Sequence, residues 1–188
     1  ISSLEGNRQK LDGGAMFGNA PKAMWSKWTE SDSQNRIPLA CRSMLLKTDE
    51  FTILFEAGIG AYMEPKLRER YGVGEDHSLL LQNLGKLDVS ESQIDYVVLS
   101  HLHFDHAGGI VADWPAIQDD SWQPRIPKAK YIVGKRHFDD SLAPHFRDRA
   151  SFIPRLAEKL KATERLILID DIHPSLNILN DFLTFTFS

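Results

Sequence analysis

The chain has 188 residues, is 42% hydrophobic and 26% charged, and carries a net charge of −4. That length suits a single domain, the apolar fraction excludes a disordered chain, and the acidic balance argues against a nucleic-acid binder built on phosphate contacts. No apolar run approaches the roughly 18–20 residues that span a bilayer, and the one cysteine, Cys41, excludes an internal disulfide framework and favours a reducing, cytoplasmic setting.

Residues 1–39 read as irregular, punctuated by Gly6, Gly13, Gly14, Gly18, Pro21 and Pro38. The stretch also holds Met16, Phe17, Met24, Trp25 and Trp28, too apolar for a plain linker. These side chains either pack under a core edge or wall an apolar pocket. Residues 40–60 predict a hairpin, with Met44 to Leu46 and Phe51 to Phe55 flanking a polar turn, and Gly58 and Gly60 ending the second strand. A charged helix follows over 61–71, with Pro65 near its first turn. Ser78 is placed to cap a short helix that runs through Leu84 and ends at Gly85. Ser90 and Gln93 have capping-box spacing.

The runs Tyr96 to Leu99 and Ala129 to Val133 are continuous and β-rich, as strands buried on both faces require. Phe152 to Leu160 predicts a helix, and Leu166 to Ile169 a further strand. Buried strands alternating with helices imply an α/β layered architecture in one domain over residues 1–188. The final stretch, Leu183 to Ser188, alternates apolar and polar residues at period 2, as in a half-buried strand. Nothing follows to cover it and no initiator Met opens the chain, so the sequence reads as a domain incomplete at its C-terminus; an edge strand on an intact domain is the alternative.

The chemistry concentrates in Ser100-His101-Leu102-His103-Phe104-Asp105-His106-Ala107-Gly108-Gly109. Three histidines and a carboxylate fall within six residues, directly after a buried strand, where α/β proteins place their sites. In extended backbone His101 and His103 point to one side and can share one ion. Asp105 and His106 come as the chain bends and can face a second. Imidazole with carboxylate suits Zn, Fe, Mn or Co rather than Ca or Mg. Two such ions about 3.5–4 Å apart can hold a hydroxide between them at neutral pH and polarise the bond it attacks. His77, His137, His145 and His173 read as solvated or capping residues, and Cys41 as buried and inert.

This motif resembles the HxHxDH signature of the metallo-β-lactamase superfamily. The likeness extends to Asp12 to Gly18, Pro21-Lys22, Trp25, Ile53 to Gly60 and His101 to Gly109. Together these are similar to the branch that holds N-acyl-homoserine-lactone lactonases and methyl-parathion-hydrolase-like phosphotriesterases. The resemblance implies an αβ/βα sandwich with a dinuclear, zinc-type metal centre. His101 and His103 would bind the first metal, Asp105 and His106 the second. The family also uses a later His, a bridging Asp and a final His, none of which is evident here. Glu56 stands where the superfamily usually has Asp, and reads as a hydrogen-bond acceptor beside the site.

The resulting expectation is a hydrolase that opens a lactone ring, with an acyl-homoserine lactone as the leading substrate. The metal-bridged hydroxide would attack the carbonyl carbon, and Asp105 would pass a proton to the leaving alkoxide. Met16, Phe17 and Trp25 are candidates to line an acyl-chain channel. The partner is then a small-molecule ester or lactone, with no nucleic acid or membrane, and with a homodimer as one option. A phosphotriester or another ester is the alternative substrate, and a non-catalytic fragment or pseudoenzyme the alternative class.

Overall fold

The longest apolar runs of the sequence lie side by side in one sheet. The computed structural model describes residues 1–170, 175–177 and 184–186. Its main sheet has six strands in sequence order: β1 (Ser2–Asp12), β2 (Arg36–Lys47), β3 (Thr52–Phe55), β4 (Tyr96–Leu99), β5 (Lys130–Gly134) and β6 (Leu166–Ile169). The pairs β1–β2 and β2–β3 are antiparallel, and β3 through β6 are parallel. A second small antiparallel pair joins β7 (Ser175–Asn177) to β8 (Thr184–Thr186). The expected terminal strand is thus present at Thr184–Thr186; Leu183, Phe187 and Ser188 lie outside the described residues, as does His173.

Period-2 alternation gives the parallel strands two apolar faces. Leu54, Val97, Leu99, Tyr131 and Val133 join one cluster with Leu80, Leu84, Leu156 and Leu160. Ile53, Val98, Ile132 and Ile169 form a second cluster on the opposite face. The first is covered by α3 (Pro65–Tyr71) and α4 (Leu79–Gly85), which link β3 to β4, and by α6 (Lys135–Leu142) and α7 (Leu156–Ala162), which link β5 to β6. Three short helices complete the set: α1 (Gly13–Phe17), α2 (Lys22–Trp25) and α5 (Phe104–Ala107). Ser78 Oγ accepts from Leu81 N at 3.3 Å, and the Ser90–Gln93 capping box closes as its spacing predicts. Among the described residues no helix is long and apolar enough to cross a membrane.

Two expectations need correction. Residues 1–39 are not irregular: they hold β1, α1, α2 and the start of β2. β1 lacked an apolar signature because two of its inward residues are polar, Asn7 and Gln9. A bulge between Glu5 and Arg8 also breaks its alternation. The helix expected from Phe152 begins only at Leu156. Pro154 disfavours a helical residue before it, and Arg155 sits at φ 65°, in the left-handed region.

The segment after β3 and the turn after β4 meet backbone to backbone. A Cβ on Gly108 would lie 2.1 Å from the Ile59 carbonyl oxygen, and one on Gly109 2.0 Å from that of Ala57. Gly60, at φ +67°, packs against the same pair. Gly109→Ala is therefore expected to cost about 2–3 kcal/mol or more. Gly85→Ala, at a helix end where an added Cβ meets nothing within 4 Å, should instead gain about 0.5–1 kcal/mol. Urea unfolding of the two variants checks the contrast in sign.

Candidate metal centre

β4 ends at Leu99, and the next residues keep its alternation. Leu102 and Phe104 turn into the core, at 1% and 5% exposure, which leaves His101 and His103 on the other side, half-buried. The turn is tied to the segment after β3 by Ala57 N donating to the His106 carbonyl at 2.8 Å and by Gly109 N donating to that of Gly58 at 3.0 Å. These bonds set Asp105 and His106, on α5, beside the first two histidines.

The ring centroids of His101 and His103 are 4.4 Å apart, and those of His101 and His106 4.1 Å. His106 Nε2 lies 3.8 Å from Asp105 Oδ2. His106 Nδ1 donates to Glu56 Oε2 at 3.0 Å, while Glu56 Oε1 accepts from Ser100 N at 2.9 Å. Glu56 thus bridges the two ends of the motif, and it does so at φ 61°, a strained setting for a non-glycine residue. Ser100 Oγ lies 3.0 Å from His101 Nδ1.

Burial, reinforced by His106 and His103, pushes the His101 imidazole down to about 4. Burial likewise lowers His103, against the opposing pull of Asp105. Both rings are therefore neutral near pH 7, with lone pairs free to bind a cation. His106 moves the other way, raised first by its bond to Glu56. Burial works to raise Glu56, but the hydrogen bonds from His106 and Ser100 outweigh it and hold the carboxyl below its ordinary value. A carboxylate behind an imidazole fixes the ring's tautomer and raises its basicity as a ligand.

The donor chemistry fits a divalent ion of the zinc type: neutral imidazoles, one carboxylate and ring separations within reach of a shared ion. The donor atoms do not yet converge. Among the described residues no group of three His, Cys, Asp or Glu side chains is disposed to hold a metal as it stands.

A cavity of about 300 Å³ opens beside the histidines, lined by His101, His103, His137, Asp140, His145, Asp148 and Phe152. His137 and His145, read from sequence as solvated, are indeed exposed, and both also border the site, with the His137 ring 6.1 Å from that of His101. The signal that could have found them is topological. β5 runs parallel to β4 with Leu99 opposite Val133, so whatever follows β5 lands beside whatever follows β4. Met16, Phe17 and Trp25 do not line this cavity. Trp25 is buried against Gly13 and stacks on Phe17 at 5.2 Å, while Met16 is about half exposed.

The parallel part of the sheet, β3 to β6, is apolar on both faces, and the histidine-rich turn lies at its strand ends. Residues 36–119, a little under half of the chain, match the profile of the metallo-beta-lactamase superfamily. It is similar to the crystal structure of a probable metal-dependent hydrolase from Staphylococcus aureus, at TM-score 0.80 and 28% identity over 95% of this chain and 60% of that one. It shares its fold with AidC, a dizinc quorum-quenching lactonase solved with its product, at TM-score 0.65 and 22% identity over 96% and 58%. AiiA from B. thuringiensis, with N-decanoyl-L-homoserine bound, matches at TM-score 0.56 and 17% identity over 96% and 63%. The chain thus spans about three fifths of the length of these solved relatives. No curated protein matches it by sequence.

Glu56→Gln tests the carboxylate behind His106. The amide oxygen can still accept from Ser100 N, but its NH₂ would donate to Nδ1 and move the ring proton to Nε2. The variant should fold with nearly unchanged stability and bind zinc about 10–100-fold more weakly in a chelator competition. Unchanged affinity would remove Glu56 from the site's design.

Proposed function

We propose that this protein is a metal-dependent hydrolase that opens lactones or related esters, with an acyl-homoserine lactone as the first substrate to test. The observation that carries the reading is the gathering of His101, His103, His106 and Asp105 at the ends of parallel strands, against a cavity of about 300 Å³. Lactonases and a metal-dependent hydrolase among the fold relatives support it.

In this reading His101 and His103 hold one divalent ion, and Asp105 and His106 a second. Zinc is the leading candidate, with iron, manganese and cobalt as alternatives. Bound there, the ions supply Lewis acidity and a water of lowered pKa. The chain's own residues do the rest. Glu56 holds the His106 ring by its Nδ1 proton, so that Nε2 faces the site. Phe152, edge-on to His103 at 4.6 Å between centroids, closes one wall against water. A carboxylate oxygen of Asp105 would take the proton released by the attacking water and pass it to the leaving alkoxide oxygen as the ring opens. Hydrolysis of an aryl phosphotriester, assayed alongside the lactone, is the competing outcome.

His103→Ala should lower bound metal and reduce lactone turnover by at least about 100-fold. Wild-type metal content together with wild-type turnover would refute the ligand assignment. Asp105→Asn keeps a coordinating oxygen but loses the charge and the proton. Turnover should then fall further than metal content; a parallel fall would make Asp105 a ligand and nothing more.

A further inference from the structure

β1 buries two side-chain amides on the same side, and they are used differently. Asn7, fully buried, is satisfied at both ends: Nδ2 donates to the His77 carbonyl at 2.8 Å, and Oδ1 accepts from Leu79 N at 3.1 Å. Both partners are backbone groups at the entry to α4, so Asn7 docks that helix on the sheet. Gln9, at 3% exposure, donates twice, from Nε2 to Asp105 Oδ2 at 3.1 Å and weakly to Cys41 Sγ at 3.8 Å. Its Oε1 is buried with no partner among the described residues.

A buried acceptor left without a partner is destabilising, because its lost hydration is not repaid. A residue serving only the core has no use for that arrangement, since a methionine would fill the space without it. Turning the amide over does not help, because Oε1 would then face the carboxylate. The bond to Asp105 is also the only side-chain hydrogen bond that carboxylate receives among the described residues. It spans the molecule from the first strand to the motif turn, and the bulge at Glu5–Arg8 is what brings Asn7 and Gln9 inward together.

We propose that Gln9 is a positioning residue for the metal centre: its amide holds the Asp105 carboxylate by Oδ2, the oxygen that lies 3.8 Å from His106 Nε2, and so sets the carboxylate beside the imidazole with which it would share the ion. The proposal rests on the reading of Asp105 as a ligand. It places a determinant of the second metal on β1, far in sequence from the motif and outside the segment matched by the superfamily profile.

The test uses the full-length protein, wild type and as Gln9→Met, Asn7→Ala and Asp105→Asn. Each is loaded with cobalt, and three quantities are read: the visible absorption of the bound cobalt, metal affinity by chelator competition, and the urea midpoint of the metal-free form. Gln9→Met should alter the cobalt spectrum and weaken the weaker-bound ion by about 10–100-fold. Its metal-free midpoint should stay level or rise, because the orphaned acceptor is gone. Asn7→Ala should do the reverse, with a lower midpoint and an unchanged spectrum. If Gln9→Met behaves like Asn7→Ala, or fails to fold, Gln9 is a core residue and the proposal is wrong. If Asp105→Asn changes the spectrum while Gln9→Met does not, only the Gln9 proposal falls. If Asp105→Asn leaves the spectrum unchanged, the ligand assignment falls with it.

Discussion

Everything in the site depends on two backbones that touch without side chains between them. Gly108 and Gly109 press against the carbonyls of Ile59 and Ala57 at a distance no Cβ would allow. Through that contact the segment leaving β3 and the turn leaving β4 share hydrogen bonds, and Glu56 comes within reach of both Ser100 N and His106 Nδ1. A wider gap would separate the carboxylate from the imidazole it holds. The strained backbone of Glu56 fits the same geometry, since the surrounding hydrogen bonds over-determine its position.

The electrostatics of the turn follow from crowding. Imidazole rings about 4 Å apart oppose each other's protonation, and burial opposes it further. His101 and His103 are therefore kept neutral, which is the form that binds a cation. His106 differs because a carboxylate stands behind it. Asp105 is held from yet another direction, by an amide on the first strand. Each of these two groups has a support drawn from an element distant in sequence, so the site is assembled by the sheet rather than by the six-residue motif alone.

Much of this could be read in the sequence. Tyr96 to Leu99 announced a strand buried on both faces because its residues must satisfy two apolar layers at once. Ser78 and Ser90 announced helix starts because their caps are local chemistry, settled within three residues. The four candidate ligands were legible because period 2 and one bend determine their relative directions. β1 was not, since its inward side chains are amides and its bulge breaks the alternation that a reader looks for. The solvated reading of His137 and His145 holds, but their place beside the motif was not legible, because it comes from the parallel register of β4 and β5, a long-range fact that no local pattern carries. Arg155 shows the same limit, since Pro154 marks a break but not the left-handed residue that follows it.

The central claim is that the histidine turn binds divalent ions through nitrogen and oxygen alone, with the buried Cys41 thiol taking no part. X-ray absorption at the zinc edge of the metal-loaded protein tests it directly. The account predicts nitrogen and oxygen neighbours at about 2.0–2.1 Å with the multiple-scattering pattern of imidazole. A sulfur neighbour at about 2.3 Å, or a protein that retains no zinc after dialysis, would contradict it.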